Sequence, residues 1–148
     1  MVCDQLREEM DFVFLDCPAG IENGFKNAIA PSDQVLIVVN PEVSSVRDAD
    51  RIIGLIEAEE KGPGYLIINR MKHEMVERGE MLSQADILDI LAVELLGIIP
   101  EDENIVVSSN RGNPIAMEED NGSYSRLAFH HITQRLCGEE ASLKPPAA

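Results

Sequence analysis

The sequence predicts an α/β fold with a parallel sheet and helices on both faces. Four short apolar runs lack the polar alternation of a half-exposed strand, which is typical of strands buried on both faces. Segments with an apolar stripe at helical spacing separate these runs. Strands that alternate with helices form βαβ units, and βαβ units place parallel strands side by side. The 148 residues, of which 45% are apolar, suffice for one compact core.

The first half of the chain contains two of the predicted strands. Residues 2–10 are predicted to be the last turns of a helix, and the run FVFLD at 12–16 is the first strand. A short helix over 22–30 ends at Pro31, because proline cannot continue a helix. The run QVLIVVN at 34–40 is the second strand.

The second half repeats the alternation. A helix over 44–60 has its apolar stripe on one side and charges on the other, and Ser83 with Asp86 forms a predicted capping box for the next helix. The remaining predicted elements are strands at 65–69 and 95–99, a polar connection over 70–82, and a helix over 124–136. Residues 1–138 are predicted to form one domain, followed by a disordered tail at 139–148.

Composition narrows the function classes. The net charge of −15 opposes general binding to nucleic acid or anionic lipid. Cys3, Cys17 and Cys137 are widely spaced, without the spacing of a zinc site. No apolar run is long enough to cross a membrane and no secretory signal is visible, so a cytoplasmic protein is expected.

Polar residues follow each predicted strand, at the edge where parallel sheets bind ligands. Asp16, Asn40 and Asn69 end three of the strands, and Pro100 ends the fourth. A carboxylate directly after an apolar strand, as at Asp16, is similar to the Walker B end of a P-loop ATPase, where it helps hold Mg²⁺. Solvated loops are also polar, so each position alone leaves both interpretations open.

Longer segments resemble the ParA/MinD family of deviant Walker A P-loop ATPases, in its C-terminal portion only. The segments are DCPAGIENGFKNAIAPSDQ, NPEVSSVRDADRIIGLIEAE, RGEMLSQADILDILAVELLGIIPED and SSNRGNPI, in the family's order. Together they cover most of residues 11–138. The resemblance implies a truncated P-loop NTPase fold, Rossmann-like with three layers, that lacks the P-loop strand.

The resemblance also implies a site for ATP and Mg²⁺ in the intact family protein. Asp16 would be the catalytic, Mg²⁺-side carboxylate, and Gly20 would belong to the switch that senses the γ-phosphate. Residues beside the nucleotide would be Pro18 and Ala19 in that switch, Asn69 and Arg70 beside the adenine, and Pro100, Glu101 and Asp102 in the turn that closes the other side of the base.

Partners follow from the same resemblance. The family places the bacterial division site, forms an ATP-driven homodimer, recruits a MinC-like inhibitor and is discharged by a MinE-like activator. Its location is cytoplasmic and peripheral to the inner membrane, through a terminal amphipathic helix. The helix over 44–60 resembles the partner-binding region, with Arg47, Asp48, Asp50 and Arg51 on its polar side.

The chain departs from the family at several points. No GxxxxGK[ST] loop occurs in the 148 residues, and the first switch is missing as well. Lys144-Pro145-Pro146 cannot belong to a membrane helix. We therefore expect a fragment that binds no ATP by itself and is inactive alone, with an exposed apolar edge that causes poor solubility, oligomerisation or a non-native neighbour for the strand at 12–16. The alternatives are a fragment of a ParA-type partitioning ATPase and a non-catalytic partner-binding module.

Overall fold

The computed structural model describes residues 2–17, 23–62, 64–119 and 122–143. Within them, helices and strands alternate through most of the chain. In order, the elements are α1 (Val2–Glu9), α2 (Asn23–Ile29), β1 (Val35–Val39), α3 (Val43–Ala58), β2 (Gly64–Met71), α4 (His73–Glu77), α5 (Gln84–Leu91), β3 (Glu94–Pro100), α6 (Glu103–Asn110), a 3₁₀ turn (Ile115–Met117) and α7 (Tyr124–Leu136).

The three strands form one parallel sheet in the order β1-β2-β3. Leu36 of β1 lies opposite Tyr65 of β2, and Leu66 of β2 lies opposite Leu95 of β3. Because all three strands run the same way, their carboxyl ends meet at one edge of the sheet. The predicted α/β class with a parallel sheet is confirmed.

Apolar cores lie on both faces of the sheet, as predicted. On one face, β-strand side chains such as Ile37 and Ile68 pack in a cluster that includes Ile53 of α3 and Ile87 of α5. On the other face, α7 covers the sheet in a smaller cluster of Ile67, Leu96, Ile99, Ala128 and Ile132. Helices on both faces explain why the strands read as continuous apolar runs.

The predicted strand at 12–16 is wrong. Residues 12–17 have no regular secondary structure, and Phe12 and Phe14 are 59% and 72% exposed. An apolar run becomes a strand only when a neighbouring strand takes up its backbone hydrogen bonds, and the described sheet contains only β1, β2 and β3. The predicted sheet of four strands is therefore a sheet of three in the part of the chain that the structure describes.

Several other elements have bounds that differ from the predicted ones. The strand predicted at 65–69 continues to Met71 as β2, and the connection predicted over 70–82 contains the short helix α4. The helix α6 was not predicted. The capping box is confirmed, since Ser83 Oγ accepts the Asp86 N–H and the Asp86 carboxylate accepts the Ser83 N–H.

Gly97 sets the distance between β3 and α7. β3 carries one extra residue between Leu95 and Gly97, relative to the register with β2. A Cβ atom at Gly97 would lie 2.3 Å from Cγ1 of Ile132, far inside van der Waals contact. The absence of a side chain at Gly97 therefore lets α7 pack directly on the strand.

The Asp102 carboxylate joins α6 to α7. One oxygen accepts the Asn104 N–H at 2.8 Å and so caps α6, while the other accepts the hydroxyls of Ser123 and Ser125 at 2.7 Å and 2.6 Å. Ser123 in turn caps α7 by accepting the Arg126 N–H. One side chain thus holds the start of both helices, and we call these three residues (Asp102, Ser123 and Ser125) the Asp102 cluster.

Replacement of Gly97 by alanine should destabilise the fold by about 1–3 kcal/mol, because the new methyl group overlaps Ile132. Ile132→Ala alone should cost about 2–5 kcal/mol through the cavity it leaves. In the Ile132→Ala background, the cost of Gly97→Ala should fall below about 1 kcal/mol, since the overlapping atoms are gone. Urea unfolding of the parent, the two single variants and the double variant measures these free energies. If the cost of Gly97→Ala were the same in both backgrounds, the contact between position 97 and Ile132 would not be as described.

Asp102→Asn should lower the free energy of unfolding at pH 7 by about 1–2 kcal/mol, because the amide group cannot accept hydroxyls as the carboxylate does. The hydrogen bonds that Asp102 accepts are stabilising while it is ionised, and they keep its pKa below the ordinary value of about 3.9. That contribution is complete above about pH 4 and is lost as the pH falls through the lowered pKa. Unfolding curves from pH 7 to pH 3 should therefore show the two proteins converging in acid.

The matched control for this pH series is Asp89→Asn, since Asp89 is an exposed carboxylate on α5. Its effect on stability should stay within about 0.5 kcal/mol at every pH. A constant difference between Asp102→Asn and the parent across the whole pH range would contradict the role of the ionised carboxylate.

Candidate nucleotide site at the carboxyl edge of the sheet

Asn69 and Arg70 form a bulge at the end of β2. Ile68 pairs with Ile98 and Met71 pairs with Pro100, so two residues of β2 stand opposite one residue of β3. Arg70 has a φ of +58°, which is unusual for a residue other than glycine and carries backbone strain. The bulge interrupts the regular pleat at the edge where parallel sheets bind ligands.

The bulge is tied to the turn after β3. The Arg70 guanidinium lies 3.3 Å from the Glu101 carboxylate, and the Glu101 N–H donates to the Met71 carbonyl at 3.0 Å. The two side chains are 61% and 35% exposed, so their ion pair adds little stability in water. Two predicted site segments, Asn69–Arg70 and the turn with Pro100 and Glu101, are thus adjacent in space; their roles toward a nucleotide stay predictions.

Asp102 belongs to the same turn, but its carboxylate is directed to the protein. Partial burial raises the pKa of this carboxyl, and the hydrogen bonds from Ser125, Ser123 and the Asn104 N–H outweigh that effect, so the pKa is lowered overall. With both oxygens engaged, the group serves the start of α6 and α7. Sequence reasoning named Asp102 but missed Ser123 and Ser125, whose only signal was a serine just before a predicted helix.

The switch residues are described only in part. Asp16 is exposed and follows a segment without regular structure, so no strand end holds it beside the bulge. The Cys17 thiol lies 3.8 Å from the Leu15 carbonyl. Pro18, Ala19 and Gly20 lie outside the described residues.

The predicted partner-binding residues share one exposed face of α3. Arg47, Asp48, Asp50 and Arg51 are all exposed, whereas Ala49 between them is buried against the core. The mixture of positive and negative charges on this face is more typical of a surface for a protein partner than of a surface for a uniformly charged ligand.

A cavity of about 300 Å³ lies at the opposite edge of the sheet, by the first residues of the strands. Ile37, Ile53, Ile56 and Val93 give it an apolar wall, with Glu57 and Lys61 among its lining residues. In the described ranges, no three His, Cys, Asp or Glu residues are grouped to hold a metal ion. None of the helices described there is both long and apolar enough to span a membrane.

The residues at the carboxyl edge fit the base of a nucleotide better than its phosphates. An amide at Asn69 can pair with a base edge, and the planar guanidinium of Arg70 can stack on its face. Phosphates require backbone N–H groups and a lysine, and the sequence contains no GxxxxGK[ST] loop to supply them. A place for Asn69 and Arg70 beside the base of a nucleotide stays a prediction.

The chain is similar in sequence to curated septum site-determining MinD proteins. It is 52% identical to MinD of Synechocystis over 137 residues, which are 93% of this chain and 51% of that protein, and 42% identical to MinD of Bacillus subtilis over 95% of this chain and 52% of that one. No protein-family profile matches the sequence. The chain thus spans about half the length of the curated relatives it matches.

Solved structures show the same similarity in the fold. The MinD cell division protein of Aquifex aeolicus matches with a TM-score of 0.88 and 48% identity, over 95% of this chain and 60% of that one. The MinC:MinD complex of the same organism matches with a TM-score of 0.89, also at 48% identity, over 95% of this chain and 58% of that one. A Pyrococcus horikoshii MinD complexed with Mg-ADP matches at 25% identity and a TM-score of 0.77, over 91% of this chain and 54% of that one.

The predicted resemblance to one portion of the family protein is confirmed, since the match extends over most of this chain but only about half to three fifths of each relative. Sequence and fold together show that this chain is homologous to the septum site-determining protein MinD, over a stretch that corresponds to a C-terminal portion of it.

Proposed function

We propose that the chain is the base-side part of a MinD-type Mg²⁺–ATP site, in a protein that helps place the division site. The observation that supports this most is the bulge at Asn69–Arg70, joined to the turn at Glu101, in a chain homologous to MinD. A MinD relative of the same fold is complexed with Mg-ADP. In the intact protein, ATP binding, hydrolysis and homodimer formation would depend on a phosphate-binding loop supplied from outside these 148 residues.

The roles of individual residues follow from this proposal. Asp16 would hold the water shell of Mg²⁺, and Gly20, with Pro18 and Ala19, would sense the terminal phosphate. Asn69 and Arg70 would contact the base from the bulge, opposite the turn with Pro100, Glu101 and Asp102. When bound, Mg²⁺ would supply neutralisation of the phosphate charge.

Partner binding is the second half of the proposal. The exposed face of α3, with Arg47, Asp48, Asp50 and Arg51, would bind a MinC-like inhibitor and a MinE-like activator. Support comes from the MinC:MinD complex of Aquifex, whose MinD is 48% identical to this chain. Peripheral attachment to an anionic membrane would require an amphipathic helix.

The two alternatives have less support. A ParA family ATPase from Chlorobium tepidum matches at 20% identity and a TM-score of 0.59, a likeness that concerns the fold alone. One observation favours the hypothesis of a non-catalytic partner-binding module: the sequence has no GxxxxGK[ST] loop. Nucleotide binding separates the module from the ATPase.

Calorimetry with Mg²⁺–ATP tests the proposal on two proteins: this chain alone, and the same chain joined behind the N-terminal half of the Synechocystis MinD. The joined protein should bind with a dissociation constant in the micromolar range, about −8 kcal/mol, because both halves of the site are then present. The chain alone should bind more weakly than about 1 mM.

Asp16→Asn in the joined protein is the control for the metal side, and it should weaken binding in Mg²⁺ but change little in EDTA. Tight binding by the short chain would contradict the need for a phosphate-binding loop. If neither protein bound ATP, the partner-binding module would become the better account.

A further inference from the structure

We infer that Asp102 is a positioning residue for the base side of the proposed nucleotide site, and that it acts by fixing the turn after β3 to the N-terminus of α7. The inference rests on the proposed function. It assigns to Asp102 no contact with the nucleotide: its role is to hold the residues that make such contacts.

The contacts of Asp102 all lead into the protein. Oδ1 accepts the Asn104 N–H, and Oδ2 accepts the hydroxyls of Ser123 and Ser125, which are themselves 2.8 Å apart. Ser125 is fully buried, at 0% exposure, so its hydroxyl needs this acceptor inside the fold. A carboxylate with both oxygens engaged in this way is poorly placed to bind a ligand and well placed to fix the backbone that carries it.

Glu101, the residue before Asp102, connects the turn to the bulge. Glu101 donates its N–H to Met71 and pairs through its carboxylate with Arg70. The turn is therefore held on one side by α7, through the Asp102 cluster, and on the other by β2. These two attachments together fix the position of the turn relative to the bulge, beside which the base is proposed to lie.

Loss of the Asp102 cluster should widen the range of positions open to Pro100 and Glu101 without touching the phosphate side. A site for a base discriminates by exact placement of its polar groups, and small displacements reduce discrimination. A merely structural role for Asp102 would instead lower stability and leave base preference unchanged. Base preference is thus the readout that separates the two roles.

The test uses the joined protein with the Synechocystis N-terminal half, its Asp102→Asn variant, and three probes: Mg²⁺–ATP, Mg²⁺–GTP and Mg²⁺–tripolyphosphate, which has no base. Asp102→Asn should weaken ATP binding roughly tenfold and bring the ATP and GTP affinities closer together, because the base is held less exactly. Tripolyphosphate affinity should change by less than about twofold, since the phosphate side is intact.

Ser125→Ala serves as a second variant if Asp102→Asn does not fold, because it removes one hydroxyl and keeps the carboxylate; the same but smaller shift in base preference is expected. Ile87→Val is the matched control, since it removes a methylene group from the core on the face of the sheet opposite α7 and should leave the base preference of the parent. Circular dichroism at the assay temperature confirms that each variant is folded.

The outcomes are distinct. A parent that binds no ATP overturns the proposed function, and this inference with it. A parent that binds ATP, with an Asp102→Asn variant that keeps the same preference for ATP over GTP, overturns the inference alone. Equal losses for ATP and tripolyphosphate would also overturn it, because they would show a general disturbance of the fold.

Discussion

The pairing of β2 with a parallel neighbour on each side is the interaction on which the rest of the structure depends. Leu66 and Ile68 of β2 are completely buried, and they join the helices α3 and α5 to the sheet. Parallel pairing also brings the carboxyl ends of all three strands to one edge, where the candidate site lies. Without this register, Arg70 of β2 and Glu101 after β3, which are 31 residues apart in sequence, would not meet.

The candidate site lies where the regular pairing of β2 with β3 is interrupted. The extra residue of β2 produces the strained backbone of Arg70, and this strain is maintained because Met71 is paired again with Pro100 immediately afterwards. Within the turn, adjacent acidic residues have different tasks. Glu101 forms an ion pair with the exposed Arg70, whereas the Asp102 carboxylate accepts hydrogen bonds from the starts of two helices. A negative charge alone therefore does not identify a ligand-binding residue.

The sequence predicted the elements whose signals are local. The helix Tyr124–Leu136 has the predicted bounds, because Ser123 caps it and its apolar spacing is regular, and the capping box at Ser83 is present as expected. The helix α6 was missed because ENIVVSSN is rich in β-branched residues and serine, which are poor helix formers; its start depends on the cap by Asp102. The run at 12–16 has strand composition but no described partner strand, and pairing is not a local property. The bulge and the serines of the Asp102 cluster depend equally on contacts between distant segments, which a single sequence does not reveal.

Hydrogen–deuterium exchange of the chain, followed residue by residue, tests most directly the claim that three paired strands organise this fold. The amides of Leu66–Ile68 in β2 should be the slowest to exchange, because they lie in the central strand and under both cores. The amides of Phe12–Leu15 should exchange at nearly the rate of an unfolded chain. Strong protection of Phe12–Leu15 would show a fourth paired strand and contradict the account, as would exchange in β2 that is no slower than in the loops.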